Sequence, residues 1–142
     1  MIYFDSSALV KRYLREGGSE SVNAILLSEK VIVTSKLAYP EILSAFMRKY
    51  RAGELARKSL RSVIDQFETD WNHFFIIEFH DDLFSTIKAL IQKYPLKGAE
   101  TVHLSSALWL KQTAREDVKF VASGLNLLKA AESENLHVIN PI

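Results

Sequence analysis

The feature that most constrains this chain is a regular alternation of short apolar runs with longer amphipathic ones. Strand-like runs recur at Ile2–Asp5, Val31–Ser35, Phe74–Phe79, Phe120–Ser123 and Leu136–Ile139. Between them lie segments with helical spacing and polar faces, at Ala8–Arg15, Glu20–Glu29, Leu37–Arg51, Glu54–Asp70, Asp82–Tyr94, Ala99–Arg115 and Leu125–Asn135. Strands that alternate with helices specify parallel pairing, because each crossover must return the chain to the same sheet end and covers a face as it does so. Punctuation agrees with this division: Gly17-Gly18, Gly53, Pro95 with Gly98, and Pro141 fall between elements or at the chain end, and Pro40 falls in a first helical turn, where its missing N–H costs nothing. The expectation is an α/β fold: a single α/β/α sandwich around a mostly parallel five-stranded sheet, in one domain spanning residues 1–142.

A chain of 142 residues is long enough to bury a proper core, and 48% hydrophobic with 25% charged residues is the balance of an ordinary globular protein. No apolar run approaches a membrane span, and the apolar N-terminus lacks the basic leader of a signal peptide, so it reads as a strand. The absence of cysteine excludes disulfides and thiolate metal sites and fits a reducing, cytoplasmic setting. Net charge decides nothing, since 18 basic and 17 acidic residues nearly cancel.

Three acids stand in apolar surroundings. Asp5 follows the first strand, at the carboxyl end where open α/β sheets bind their ligands. It precedes Ser6 and Ser7, so it also suits a helix N-cap. Glu41, within SKLAYPEILSAF, falls in the first turn of a strongly apolar helix, and Glu100, within LKGAETVHLSSALWL, opens another. The helix dipole favours an acid at either place, which is a structural reason for each taken singly. Together, carboxylates at strand ends and helix starts can converge on one crevice. Such a cluster is costly unless a cation sits within it, and hard ions such as Mg²⁺ or Mn²⁺ take oxygen ligands of this kind.

The charges sort unevenly along the chain. Arg48, Lys49, Arg51, Arg57, Lys58 and Arg61 face a single acid, Glu54, in that stretch. A basic arm of this kind either follows a phosphate backbone or is a solvated helical hairpin. The acidic run Asp65, Glu68, Asp70, Glu78, Asp81 and Asp82 reads as surface helix and loop. His103, three residues after Glu100, reads as a core histidine beside Val102 and Leu104. His73, His80 and His137 lack metal-ligand spacing, and Trp71 and Trp109 read as packing. Gly17-Gly18 lacks the lysine of a P-loop, and no G-x-S-x-G elbow occurs.

Four blocks, DSSALVKRYLREGGSE, TSKLAYPEILSAFMR, GAETVHLSSALWL and FVASGLNLLKAAESENLHVINP, occur in an order and spacing that resemble the PIN-domain ribonucleases, specifically the VapC-like toxins of toxin–antitoxin pairs. The resemblance runs essentially end to end. It implies a metal-dependent endoribonuclease restrained by an antitoxin protein and commonly dimeric. The family's first acid falls on Asp5, its second on Glu41 and its third on Glu100. Asp5 and Glu100 would hold Mg²⁺ or Mn²⁺, and Glu41 would be a further ligand or orient the attacking water. The fourth acid position falls on Gly124, a departure from the pattern. Ser123 and Asn126 stand near enough to offer neutral oxygens in its place, and Ser7 matches a small hydroxyl position beside the first acid. The six basic residues from Arg48 to Arg61 would hold the RNA backbone.

Two rival readings remain open. Loss of the fourth acid fits a catalytically weakened PIN-fold RNA-binding protein. A receiver-like phosphoacceptor needs an acidic pair after the first strand and an Asp ending the third, where this chain has DSS and His80.

Overall fold

The computed structural model describes residues 1–142. Five strands, β1 (Ile2–Phe4), β2 (Ile32–Ser35), β3 (Phe75–Ile77), β4 (Lys119–Val121) and β5 (His137–Ile139), form one sheet in the order β3-β2-β1-β4-β5. Every pairing is parallel, so the sheet is parallel throughout rather than mostly so. Seven helices cover it: α1 (Ser6–Leu9), α2 (Ser19–Ser28), α3 (Ala38–Arg51), α4 (Arg57–Trp71), α5 (Phe84–Lys93), α6 (Gly98–Ala114) and α7 (Leu125–Ser133).

The central strand carries the two cores on its two faces. All three residues of β1 are fully buried, and period-two alternation sends Tyr3 one way and Ile2 and Phe4 the other. Tyr3 joins Leu90, Leu104, Leu110, Phe120 and Leu127 beneath α5, α6 and α7. Ile2 and Phe4 join Leu9, Val22, Ile42, Phe46 and Phe67 beneath α1 to α4. Chain order β1–β2–β3 grows outward on one side and β4–β5 on the other, so the topological switch lies between β1 and β4. Ligands of open α/β sheets bind at the carboxyl edge beside such a switch.

Two departures from the expected elements have local causes. The first helix is not a continuous Ala8–Arg15 segment: α1 gives way to a 3₁₀ turn at Val10–Arg12. This tighter path brings Arg12 Nε to 2.6 Å and the Tyr13 hydroxyl to 2.8 Å from the same Asp70 Oδ2, tying the turn to the end of α4. Likewise α4 starts at Arg57, not Glu54. Glu54 is used instead to close the α3–α4 corner, its amide donating to the Lys49 carbonyl and its carboxylate pairing with Lys49 Nζ at 2.8 Å. Gly53 makes that corner with φ of 76°, a conformation that glycine adopts freely.

Candidate active site

Asp5 leaves β1 while still attached to the sheet, its amide donating to the Val121 carbonyl at the end of β4. Its side chain caps α1 by accepting the Ala8 N–H at 3.0 Å on Oδ1, and the Ser7 hydroxyl lies 2.8 Å from both carboxylate oxygens. The cap expectation therefore holds, but a cap is ordinarily solvated and this one is 4% exposed. No lysine or arginine pairs with it. Burial pushes the Asp5 carboxyl above its ordinary value, against the lowering pull of His103, Ser7 and the Ala8 amide, and Glu41 pushes it further up. Asp5 is thus a buried acid that no lysine or arginine pairs with.

Glu41 rises from the first turn of α3, just past the end of β2, where the dipole favours it. Its Oε1 lies 2.7 Å from His103 Nε2. Burial works to raise this carboxyl, but the hydrogen bond and charge of His103, aided by Ser6, outweigh it and leave the group below its ordinary value. Glu100 belongs to the first turn of α6, where Oε1 accepts the Lys97 amide at 2.9 Å in a capping box. Gly124, between β4 and α7, faces the same carboxylate: a Cβ built on it would stand 3.2 Å from Glu100 Oε2. Its φ of −73° and ψ of 125° are open to any residue.

Ser7, Glu41 and Ser123 thus gather near Asp5, with Glu100 and Gly124 in mutual contact. The Ser123 amide donates to Ser7 Oγ at 3.3 Å, while the Ser123 hydroxyl is buried without a partner. Asn126, in the first turn of α7, is exposed and makes no side-chain hydrogen bond with this group. No three acidic or histidine side chains are drawn close enough together to form a ready cation cage.

Two grooves open beside Ser7. One is lined by Ser6, Ser7, Glu41, Arg48 and Lys97, the other by Ser7, Lys11, Arg48, Lys49 and Ser123. Arg48 is common to both. Of the remaining basic arm, Arg51 turns to a neighbouring hollow along α3, with Tyr39 and Met47. Arg57, Lys58 and Arg61 are exposed on the start of α4 and line neither groove. Lys11 and Lys97, which stand outside that arm in the sequence, line the grooves in their place.

His103 is the residue that sequence reasoning undervalued. It is buried, as a core histidine should be, yet it bonds the second acid. The available signal was its position one helical turn from Glu100, on the same face of α6.

No family model matches the chain. Two curated proteins of Mycobacterium tuberculosis, ribonuclease VapC45 of strain CDC 1551 and ribonuclease VapC49 of strain H37Rv, are each 33% identical to it over 112 residues, 76% of this chain and 75% of theirs. Among solved structures, FitAcB from Neisseria gonorrhoeae superimposes with a TM-score of 0.71 at 16% identity, covering 99% of this chain and 98% of that one. A toxin–antitoxin complex from Klebsiella pneumoniae gives 0.67 at 15% identity over 100% and 98%. At such identities these two speak for the fold alone. The sequence relatives reach further: this chain belongs to the VapC ribonucleases, proteins of the PIN-domain fold.

Proposed function

We propose that this protein is an Mg²⁺- or Mn²⁺-dependent endoribonuclease, the toxin of a toxin–antitoxin pair. The observation that carries the metal is Asp5, an acid almost wholly withdrawn from water that no lysine or arginine pairs with. A divalent ion satisfies that arrangement, and the donor set suits a hard one: carboxylates of Asp5, Glu41 and Glu100, with the unpartnered Ser123 hydroxyl and Ser7 beside them. When bound, such an ion activates water and offsets charge on the phosphate oxygens.

The protein's own groups do the rest. Asp5 and Glu100 would hold the metal, and Glu41 would serve as a further ligand or orient the attacking water. Arg48, at the junction of the two grooves, meets the RNA phosphates, with Lys97 beside it in one of them. Contacts of this sort fix the backbone's register and read no sequence. An antitoxin protein, a second copy of this chain and a cytoplasmic setting complete the reading. No helix is long and apolar enough to cross a membrane.

The test is cleavage of RNA by purified protein with Mg²⁺ or Mn²⁺ and its loss in EDTA. Undiminished cleavage in excess chelator overturns the metal mechanism. Gly124 favours one alternative, a weakened PIN-fold protein that binds RNA and scarcely cuts it, because the carboxylate expected beside Glu100 is missing. Salt-sensitive RNA binding without cleavage at any Mn²⁺ concentration would establish that alternative.

A further inference from the structure

His103 has both ring nitrogens engaged although it is only 2% exposed. Nε2 lies 2.7 Å from Glu41 Oε1 and Nδ1 lies 2.8 Å from the Tyr3 hydroxyl. Both ring nitrogens are thereby satisfied, Nε2–H donating to the carboxylate and Nδ1 meeting the Tyr3 hydroxyl. The bridge crosses the sheet's carboxyl edge. Tyr3 and His103 belong to the core beneath α6, whereas Glu41 starts the helix α3 on the opposite face. Three elements are joined: β1, which ends in Asp5; α3, which carries Glu41; and α6, which carries Glu100 one turn from His103.

The anchor behind the imidazole is rigid. Tyr3 is fully buried in the central strand, stacked on Phe120 with ring centroids 5.5 Å apart and meeting the His103 ring edge-on at 5.9 Å. Glu41, by contrast, has a flexible side chain beside an open groove, 28% exposed. Left alone it would sample several rotamers, and His103 is the group that restricts it.

We propose that His103 is the positioning residue of the acid site: seated on Tyr3, it fixes the Glu41 carboxylate in the orientation that holds the divalent ion. This rests on the metal-dependent reading above. His103 touches neither RNA nor the reacting atoms. Hydrogen-bond partners of metal ligands of this kind are worth about 10- to 100-fold in metal affinity. A histidine that merely fills the core would support the fold without acting through Glu41, and that difference can be measured.

The experiment is Mn²⁺ titration calorimetry on wild type, His103→Gln, His103→Leu and Tyr3→Phe, with His103→Leu repeated in a Glu41→Gln background. Loss of the imidazole should weaken Mn²⁺ binding by about 10- to 100-fold. His103→Gln should restore most of it, since its amide nitrogen can donate to Glu41 from nearly the same place. Tyr3→Phe should give a smaller loss in the same direction. Once Glu41 is Gln, His103→Leu should weaken binding no further, and single-turnover cleavage by the His103 variants should slow with RNA affinity unchanged. If His103→Leu does not fold, Tyr3→Phe carries the comparison, and unchanged Mn²⁺ binding in that variant overturns the proposal. Unchanged or tighter Mn²⁺ binding in His103→Leu overturns the proposal, as does an equal loss in the Glu41→Gln background. Failure of wild type to bind Mn²⁺ overturns the metal reading itself and this inference with it.

Discussion

The Ser7 hydroxyl lies 2.8 Å from both oxygens of the Asp5 carboxylate, and this single contact separates two roles for the acid. As a cap, Asp5 needs only one oxygen, the one that accepts the Ala8 N–H. As a ligand, it needs its charge. Asp5→Asn keeps the cap, because Asn caps about as well, and removes the charge. RNA cleavage should disappear while the metal-free protein melts at the same or a higher temperature at neutral pH.

The pH dependence of that melting difference follows from the raised Asp5 pKa. A carboxyl with a higher pKa folded than unfolded binds its proton more tightly in the native state. Its ionised form therefore destabilises the fold, fully above the folded pKa and not at all below the unfolded one. Asp5→Asn should gain most over wild type near neutral pH in EDTA. The gain should shrink to nothing as pH falls through the ordinary carboxylate range. Thermal melts of both proteins between neutral and acid pH check this, and a pH-independent gap would mean that Asp5 carries no desolvated charge.

A second prediction concerns the scaffold beneath α3. Phe67 of α4 is fully buried and meets Tyr13, Phe46, Tyr39 and Trp71 at ring-centroid distances of 5.4 to 6.0 Å. Phe67→Ala opens a cavity that these rings cannot all collapse into, at a cost of about 3–5 kcal/mol. Urea unfolding should show the free energy of unfolding falling by that amount. A loss below about 1 kcal/mol would mean that α4 adds little to the packing of α3.

Much of this was legible in the sequence. Alternating apolar runs located all five strands and all seven helices, since parallel strands buried on both faces need continuous apolar residues and their crossovers need amphipathic ones. The placement of Asp5, Glu41 and Glu100 at element boundaries was legible for the same reason. What pattern could not supply was side-chain direction. His103 and Val102 look equally core-like in a helix that is apolar almost all round, and only the fold shows His103 reaching over the sheet edge to Glu41. The basic arm failed to resolve in the same way. Arg48 and Arg57 are nine residues apart and alike in character, but the corner at Gly53 leaves Arg48 on the grooves and Arg57 out on α4.

That separation makes a third prediction. RNA binding should be measured as a function of salt in the Asp5→Asn background, so that no substrate is lost. Arg48→Gln and Lys97→Gln should each weaken binding and lower the salt slope by roughly one, the signature of one phosphate contact removed. The triple change of Arg57, Lys58 and Arg61 to Gln should lower the slope less than those two changes combined. The opposite ranking would send the RNA along α4 and away from the acids.

The last prediction uses the departure at Gly124. Its backbone, with φ near −73°, accepts any residue, so glycine is not required there by conformation. A Cβ at this position would stand 3.2 Å from Glu100 Oε2, a close approach to the free end of a flexible side chain, which can shift by the few tenths of an ångström needed. Gly124→Asp would therefore set a new carboxylate beside Glu100, at the carboxyl end of β4 and across the switch from Asp5. With a divalent ion present, the added charge should tighten Mn²⁺ binding and raise cleavage at low metal. Without one, two carboxylates in contact repel, so the variant should melt below wild type in EDTA and regain stability as Mn²⁺ is added. The two effects have one cause and opposite signs, which protects the test from a variant that is merely misfolded. Calorimetry and melting curves with and without Mn²⁺ measure both. Equal Mn²⁺ affinities in two well-folded proteins would mean that position 124 does not face the metal, and that Ser123 already completes the site.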